Sequence, residues 1–266
     1  MDKLEDYDFK RFRDIIYNSS GINFTEVNRP ILESRLKERL KKANVNSLEE
    51  YYNIILKQPE ELKILLDAVT TNLTSFFRNA TQFYALENYI LPELQKTRTD
   101  KKIKIWSAGC STGEEPYSIA MVVKEKLDPS WQCEIIASDI SFNALMKAKE
   151  GFYHSSKVAG IPPALLKKYT VQVGDGYQII DDLKKMIRFD YHNLKYDSGL
   201  KGFDIVFCRN VIIYFDTTAQ IETINKIYEA MNFNSYLFLG HSESLFGMNT
   251  KFVFTKIGEA CLYMKK

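Results

Sequence analysis

The chain changes rhythm once, near residue 100. Before that point apolar residues recur every three or four positions, the spacing of one helix face. Phe9, Phe12, Ile15 and Ile16 form a first stripe, and Ile31, Leu32, Leu36 and Leu40 a second. Tyr51, Tyr52, Ile55 and Leu56 form a third, and Leu62, Leu65, Leu66 and Val69 a fourth. Ser19-Ser20-Gly21, Asn44-Val45-Asn46-Ser47 and Pro59 punctuate them as helix stops and starts. Ser47-Leu48-Glu49-Glu50 has the form of a capping box. The pattern predicts a small helical domain over 1–80, with a further helix at about 81–95 leading into a second domain.

From Lys101 the pattern alternates. Strands are predicted at 103–106, 133–137, 203–208, 236–239 and 260–264, and helices at 115–127, 141–150 and 217–231. Strands separated by helices imply a mostly parallel sheet covered on both faces. The last two strands lack a full helix between them, which predicts a terminal antiparallel hairpin. Residues 169–180 read as another hairpin, turning at Gly174-Asp175-Gly176. Met186-Ile187-Arg188-Phe189 is expected to pair with it, giving a small β insertion at about 168–190. The fold class is therefore α/β: a Rossmann-like domain over 81–266 behind an all-α domain.

Composition narrows the function classes. In 266 residues, 45% are hydrophobic and 26% charged, and the formal net charge is +2. Nothing global calls for a nucleic-acid partner. No run approaches the ~18 apolar residues of a membrane span. The start, Met1-Asp2-Lys3-Leu4-Glu5-Asp6, is acidic and lacks the apolar core of a signal peptide. Cys110, Cys133, Cys208 and Cys261 are far apart and read as reduced thiols of a cytoplasmic protein. His154, His192 and His241 show no zinc spacing with them, so no metal is expected.

A ligand on an open α/β sheet sits beyond the carboxyl ends of the strands. After the first strand comes Ala108-Gly109-Cys110-Ser111-Thr112-Gly113-Glu114-Glu115, whose small residues let backbone approach a ligand. The turn lacks the GxGxxG spacing of a dinucleotide site and puts two glutamates at the helix start. These would repel a pyrophosphate and favour a cation such as S-adenosylmethionine, with its sulfonium and ammonium. They could equally do no more than complement the helix dipole, worth roughly 0.3–1 kcal/mol each. Asp139 ends the second strand, where an acid can accept bonds from ribose hydroxyls or cap the next helix.

Several long motifs then agree with one family. Asn72-Leu73-Thr74-Ser75-Phe76-Phe77-Arg78, Gly113-Glu114-Glu115-Pro116-Tyr117-Ser118, Ala137-Ser138-Asp139-Ile140, the run from Phe203 to Asp216, and His241-Ser242-Glu243-Ser244-Leu245 resemble the bacterial chemotaxis receptor methyltransferases of the CheR type. The resemblance implies an S-adenosyl-L-methionine-dependent protein-glutamate O-methyltransferase that leaves S-adenosyl-L-homocysteine and makes γ-glutamyl methyl esters. The implied partners are the cytoplasmic helices of methyl-accepting chemotaxis receptors, met by a monomer without membrane insertion. Carried over, Asn72, Thr74 and Arg78 would line the cofactor from the helical side, with Gly109 in the turn. Glu115 and Asp139 would hold its amino-acid and ribose portions, Asn193 and Leu194 would flank the adenine, and Asn210 and Val211 would close the site. Arg78 and Tyr214 would lie nearest the transferred methyl.

The second helix carries Arg29, Arg35, Lys37, Arg39, Lys41 and Lys42, diluted by Glu33 and Glu38. A solvated face is the usual meaning of such a run. The functional reading is docking on the acidic methylation region of a receptor, with Arg35, Arg39 and Lys42 as candidates. The β insertion corresponds to the family's β subdomain, which in some members holds a receptor-terminal pentapeptide; the turn at Gly174 is short beside those members. Two rival readings stand beside this one. One is a methyltransferase of nucleic acid or a small molecule, although Asn210-Val211-Ile212-Ile213-Tyr214 differs from the Asn-Pro-Pro-Tyr pattern of amino-methylating enzymes. The other is a non-catalytic S-adenosylmethionine-binding module.

Overall fold

The computed structural model describes residues 4–266, so the first three residues of the acidic start lie outside the described residues. Four helices come first: α1 (Asp6–Ser20), α2 (Arg29–Ala43), α3 (Leu48–Lys57) and α4 (Pro59–Val69). Helices this short are marginal alone, so packing must hold them. Phe9, Phe12 and Ile16 meet Leu32, Leu36, Leu40, Tyr51, Ile55, Leu65, Leu66 and Val69 in one core. Burying each such side chain stabilises by about 1.5–3 kcal/mol. Ser47 caps α3, its hydroxyl accepting the Glu50 N–H at 3.1 Å. The box does not close on Ser47, because the Glu50 carboxylate accepts the N–H of Asn46 instead.

The buried stripe of α2 also carries Arg39, three positions after Leu36 and seven after Leu32. Arg39 is only 9% exposed. Its Nη2 donates to Glu61 at 2.6 Å and its Nε to the Tyr51 hydroxyl at 3.3 Å. That hydroxyl donates in turn to Glu61 at 2.7 Å. Arg39 is thus an internal tie between α2, α3 and α4, not the docking cation expected from the sequence. Breaking such a pair from one side leaves an uncompensated charge.

Residues 70–79 form an irregular connection. Then α5 (Ala80–Ala85), a π turn (Leu86–Ile90) and α6 (Leu91–Thr97) run on as one helix. The π turn precedes Pro92, whose ring and missing N–H do not suit a regular α ladder.

The second unit continues with β1 (Lys102–Ala108), α7 (Glu114–Lys126), β2 (Gln132–Asp139), α8 (Phe142–Glu150), β3 (Phe152–His154), α9 (Pro163–Tyr169), β4 (Thr170–Val173) and β5 (Gly176–Ile179). It ends with α10 (Asp181–Lys184), β6 (Ile187–Tyr191), β7 (Phe203–Cys208), α11 (Thr217–Ala230), β8 (Met231–Leu239), β9 (Val253–Ile257) and β10 (Ala260–Lys265). Seven strands form one sheet in the order β6-β2-β1-β7-β8-β10-β9, the first five parallel. Both faces are covered. Ile105, Ile205 and Phe207 pack on one side with α7, while Trp106, Val206 and Cys208 pack on the other with Ile224 and Ile227 of α11. That two-sided burial explains why β7 reads as an unbroken apolar run.

Three strand pairings differ from expectation. The strand expected to join the hairpin is β6, and it lies parallel to β2 in the main sheet, with Ile187 opposite Ile135. The hairpin β4–β5 gains its third strand from β3, only three residues long and too short to show alternation. At the end of the chain β10 does pair antiparallel with β8, but its hairpin partner is β9 at the sheet edge. Val253 and Phe254 of β9 are exposed, so this edge strand lacks the apolar run that marks the buried strands.

The two units meet along α1 and the loop after it. Tyr17 donates its hydroxyl to Asp216 at 2.7 Å, Asn193 donates to the Ser19 carbonyl at 2.7 Å, and the Asn23 N–H donates to the Tyr214 carbonyl at 2.8 Å. Asp67 at the end of α4 accepts from Ser141 and Asn143 at the start of α8. Among the described residues no helix is long and apolar enough to cross a membrane.

Candidate active site

The sheet grows in opposite directions from β1 and β7, so the loops after these two strands part and leave a crevice. Gly109, at φ +88°, forms its floor. A Cβ on Gly109 would lie 2.4 Å from Val211 Cγ2, so only glycine lets the two loops close up there.

The turn after β1 brings Glu115 to the cleft and turns Glu114 away, because successive helical side chains diverge by about 100°. Glu114 is buried, accepts the Thr112 hydroxyl at 2.7 Å, and has its carboxyl pushed up by burial. Glu115 lines the cleft, accepting from Ser107 at 2.6 Å and from Arg209 Nε at 2.7 Å. The attraction for a cation therefore falls to one glutamate, and a buried guanidinium already faces it. Arg209 was not singled out from the sequence. It also donates to Gln82 at 2.9 Å and to the Arg78 carbonyl at 2.5 Å, joining the wall that holds Glu115 to the segment that holds Arg78. A charged residue directly after a wholly buried strand was the signal that could have found it.

Asp139, at the carboxyl end of β2, is buried but reaches the cleft. Its two oxygens accept the N–H groups of Ser111 and Ser141, each at 2.8 Å. Burial pushes its carboxyl up, and those backbone donors oppose the shift. The cap of α8 is Ser141, which accepts the Ala144 N–H at 3.1 Å.

The remaining candidates close the same cleft. Asn72 comes from the irregular connection and accepts the Ser111 hydroxyl at 3.3 Å. Thr74 and Arg78 follow it along that wall. Arg78 Nη1 donates to the Leu73 carbonyl at 3.1 Å, and no carboxylate pairs with it among the described residues. Asn193 and Leu194 come from the segment after β6, and Asn210, Val211 and Tyr214 from the loop after β7. Every cofactor and catalytic candidate thus lines one cleft, whereas Arg35 and Lys42 lie away from it on α2. His192 is a further lining residue that the sequence did not flag. Its Nε2 is buried without a partner, and burial pushes the ring below its usual range.

The donors and acceptors suit an adenosine-bearing cation. Glu115 and Asp139 offer carboxylate oxygens, the glycine floor admits close approach, and Asn210 Oδ1 is a buried acceptor with no partner. A buried acceptor of this kind is costly to leave unpaired.

Residues 72–261 match the family model of the CheR methyltransferase, SAM binding domain, and residues 7–70 that of the CheR methyltransferase, all-alpha domain. The chain belongs to the CheR methyltransferase family. A chemotaxis protein methyltransferase of Borreliella burgdorferi is 39% identical over 251 residues, covering 90% of this chain and 89% of its own. Chemotaxis protein methyltransferase 2 of Vibrio cholerae is 36% identical over 270 residues, covering 98% and 94%. The chain is accordingly a methyltransferase of chemotaxis, and its cofactor is S-adenosylmethionine. The connection bearing Asn72, Thr74 and Arg78 falls within the SAM-binding match, and its contacts with Ser111, Ser118 and Arg209 tie it to that domain.

Proposed function

We propose that this methyltransferase acts in the cytoplasm on glutamate side chains of chemoreceptor helices, forming γ-glutamyl methyl esters. The observation that carries the reading is Arg78, a cleft-lining guanidinium with no acid of its own among the described residues. Arg209, the other arginine in the cleft, is already committed to Glu115. An incoming carboxylate supplies the charge that Arg78 lacks.

Bound S-adenosylmethionine supplies an electrophilic methyl on sulfonium, which a carboxylate oxygen takes as the carbon–sulfur bond breaks to a neutral thioether. A glutamate is ionised at neutral pH, so it needs no general base. The protein's part is placement and exclusion of water. Glu115 and Asp139 anchor the two ends of the cofactor. Arg78 orients the acceptor carboxylate, and Tyr214, 36% exposed at the mouth, borders its path. The decisive test is methyl transfer from labelled S-adenosylmethionine to receptor-bearing membranes. A base-labile, glutamate-linked label is expected, whereas a base-stable product would overturn the reading.

The receptor-facing surface is α2, now reduced to Arg35 and Lys42. Arg35 is half-buried and Lys42 exposed, and both lean on Glu38, at 4.0 Å and 2.7 Å. Exposed pairs of this kind contribute about 0–1 kcal/mol, so they can re-pair with a partner's acids. Reversing both to glutamate is expected to raise the KM for receptor by about tenfold at low salt and less at high salt. Cofactor affinity should stay unchanged. An unaltered KM would make this face a solvated one.

A further inference from the structure

One wall of the cleft is held by a carboxylate outside it. Glu243 lies after β8 and is 9% exposed. It accepts four backbone N–H groups: Gly240 at 2.6 Å, Asn210 at 2.7 Å, Val211 at 2.8 Å and Ile213 at 3.3 Å. Three of these donors belong to the loop after β7, which no strand ladder supports. Asn210 is left-handed there, at φ +58°. Asparagine tolerates that conformation better than other residues with a Cβ, and the bonds to Glu243 hold it there. Charge-assisted bonds are roughly twice as strong as neutral ones, and here several converge on one group. The two loops also touch closely, since a Cβ on Gly240 would lie 2.8 Å from Asn210 Nδ2 and 2.9 Å from Asn210 N.

The loop so held carries three parts of the site. Asn210 lines the cleft and keeps a buried, unpartnered Oδ1, Val211 packs on Gly109, and Tyr214 lines the same cleft. We propose that Glu243 is a positioning residue for methyl transfer. Its carboxylate sets Asn210 and Val211 against the cofactor and, through Ile213, sets Tyr214. Only the part played by Tyr214 rests on the substrate reading above.

The test compares Glu243→Gln with Asp204→Asn. Asp204 is also buried, sits at the opposite, amino end of β7, pairs with Arg98, and accepts from the Lys104 N–H at 2.9 Å and Asn232 at 2.7 Å. Each change removes a charge from a buried acceptor of several donors, and both should lower Tm. Only Glu243→Gln is expected to weaken S-adenosylhomocysteine binding, by about tenfold or more in calorimetry, a change of ~1.4 kcal/mol. The Val211 and Ile213 amides should exchange faster in that variant. Glu243→Asp keeps the charge and is expected to recover part of the affinity, which also serves if the glutamine variant does not fold. Wild-type affinity in Glu243→Gln, an equal loss in Asp204→Asn, or no recovery in Glu243→Asp would overturn the proposal. Because binding is measured without a methyl acceptor, the result stands apart from which side chain is methylated.

Discussion

Arg78→Ala is expected to slow methyl transfer by about 10²-fold or more, the scale on which a charge aligned with the reacting groups contributes. Tm should barely move. Arg78 spends one hydrogen bond on the Leu73 carbonyl, in an exposed stretch, and pairs with no acid among the described residues. Its removal orphans nothing buried, so the cost in stability should stay within about 0.5 kcal/mol. Arg78→Lys should restore only part of the rate, because an ammonium cannot present the planar fork that grips a carboxylate at two points. Initial rates with labelled cofactor and a thermal melt decide it together. Near-normal transfer by the alanine variant would take Arg78 out of the reaction.

Asp139→Ala should act on the other half of the site, weakening cofactor binding by about 10²-fold with an effect on turnover only through occupancy. The carboxylate serves two purposes that a second variant can separate. It offers acceptor capacity toward ribose hydroxyls, and it holds the Ser111 and Ser141 N–H groups that fix the turns on either side. Asp139→Asn keeps an acceptor and the shape but loses the charge, so it should bind more tightly than the alanine variant and less tightly than the native chain. Calorimetry with S-adenosylhomocysteine measures both. Unchanged affinity in the alanine variant would remove Asp139 from the ribose site.

The helical half was readable because its signal is local. The stripes led by Phe9, Leu32, Tyr51 and Leu65 each mark a helix face by spacing alone, and those residues share one core. The same spacing, applied strictly, would have placed Arg39 inside. Its charge suits a solvated face while its position on the stripe points inward. Strand partners are not local. The strand β6 comes after the β4–β5 hairpin in sequence, yet it pairs with β2, some fifty residues earlier. Only the closing of the whole sheet decides that choice. Within the site, the turn at Gly109 and the acid at Asp139 stood out as small or charged residues at strand ends. Arg209 and Glu243 did not, because their roles are to hold other groups, and those groups are distant in sequence.

The seam between the helical unit and the sheet has a consequence for the two binding events. Tyr17, Ser19 and Asn23 meet Asp216, Asn193 and the Tyr214 carbonyl along one border of the cleft, so the walls of the site belong to two bodies. A ligand that touches both works as mortar. At a hundredfold excess over its Kd it adds about 2.7 kcal/mol to the joined arrangement. Linkage is reciprocal, so whatever firms the joint also raises affinity for the ligand. The helix α2, bearing Arg35 and Lys42, is fastened to that same helical body. On the proposed receptor-docking role of α2, cofactor and receptor would act on one joint, and each should raise the affinity for the other by the same factor.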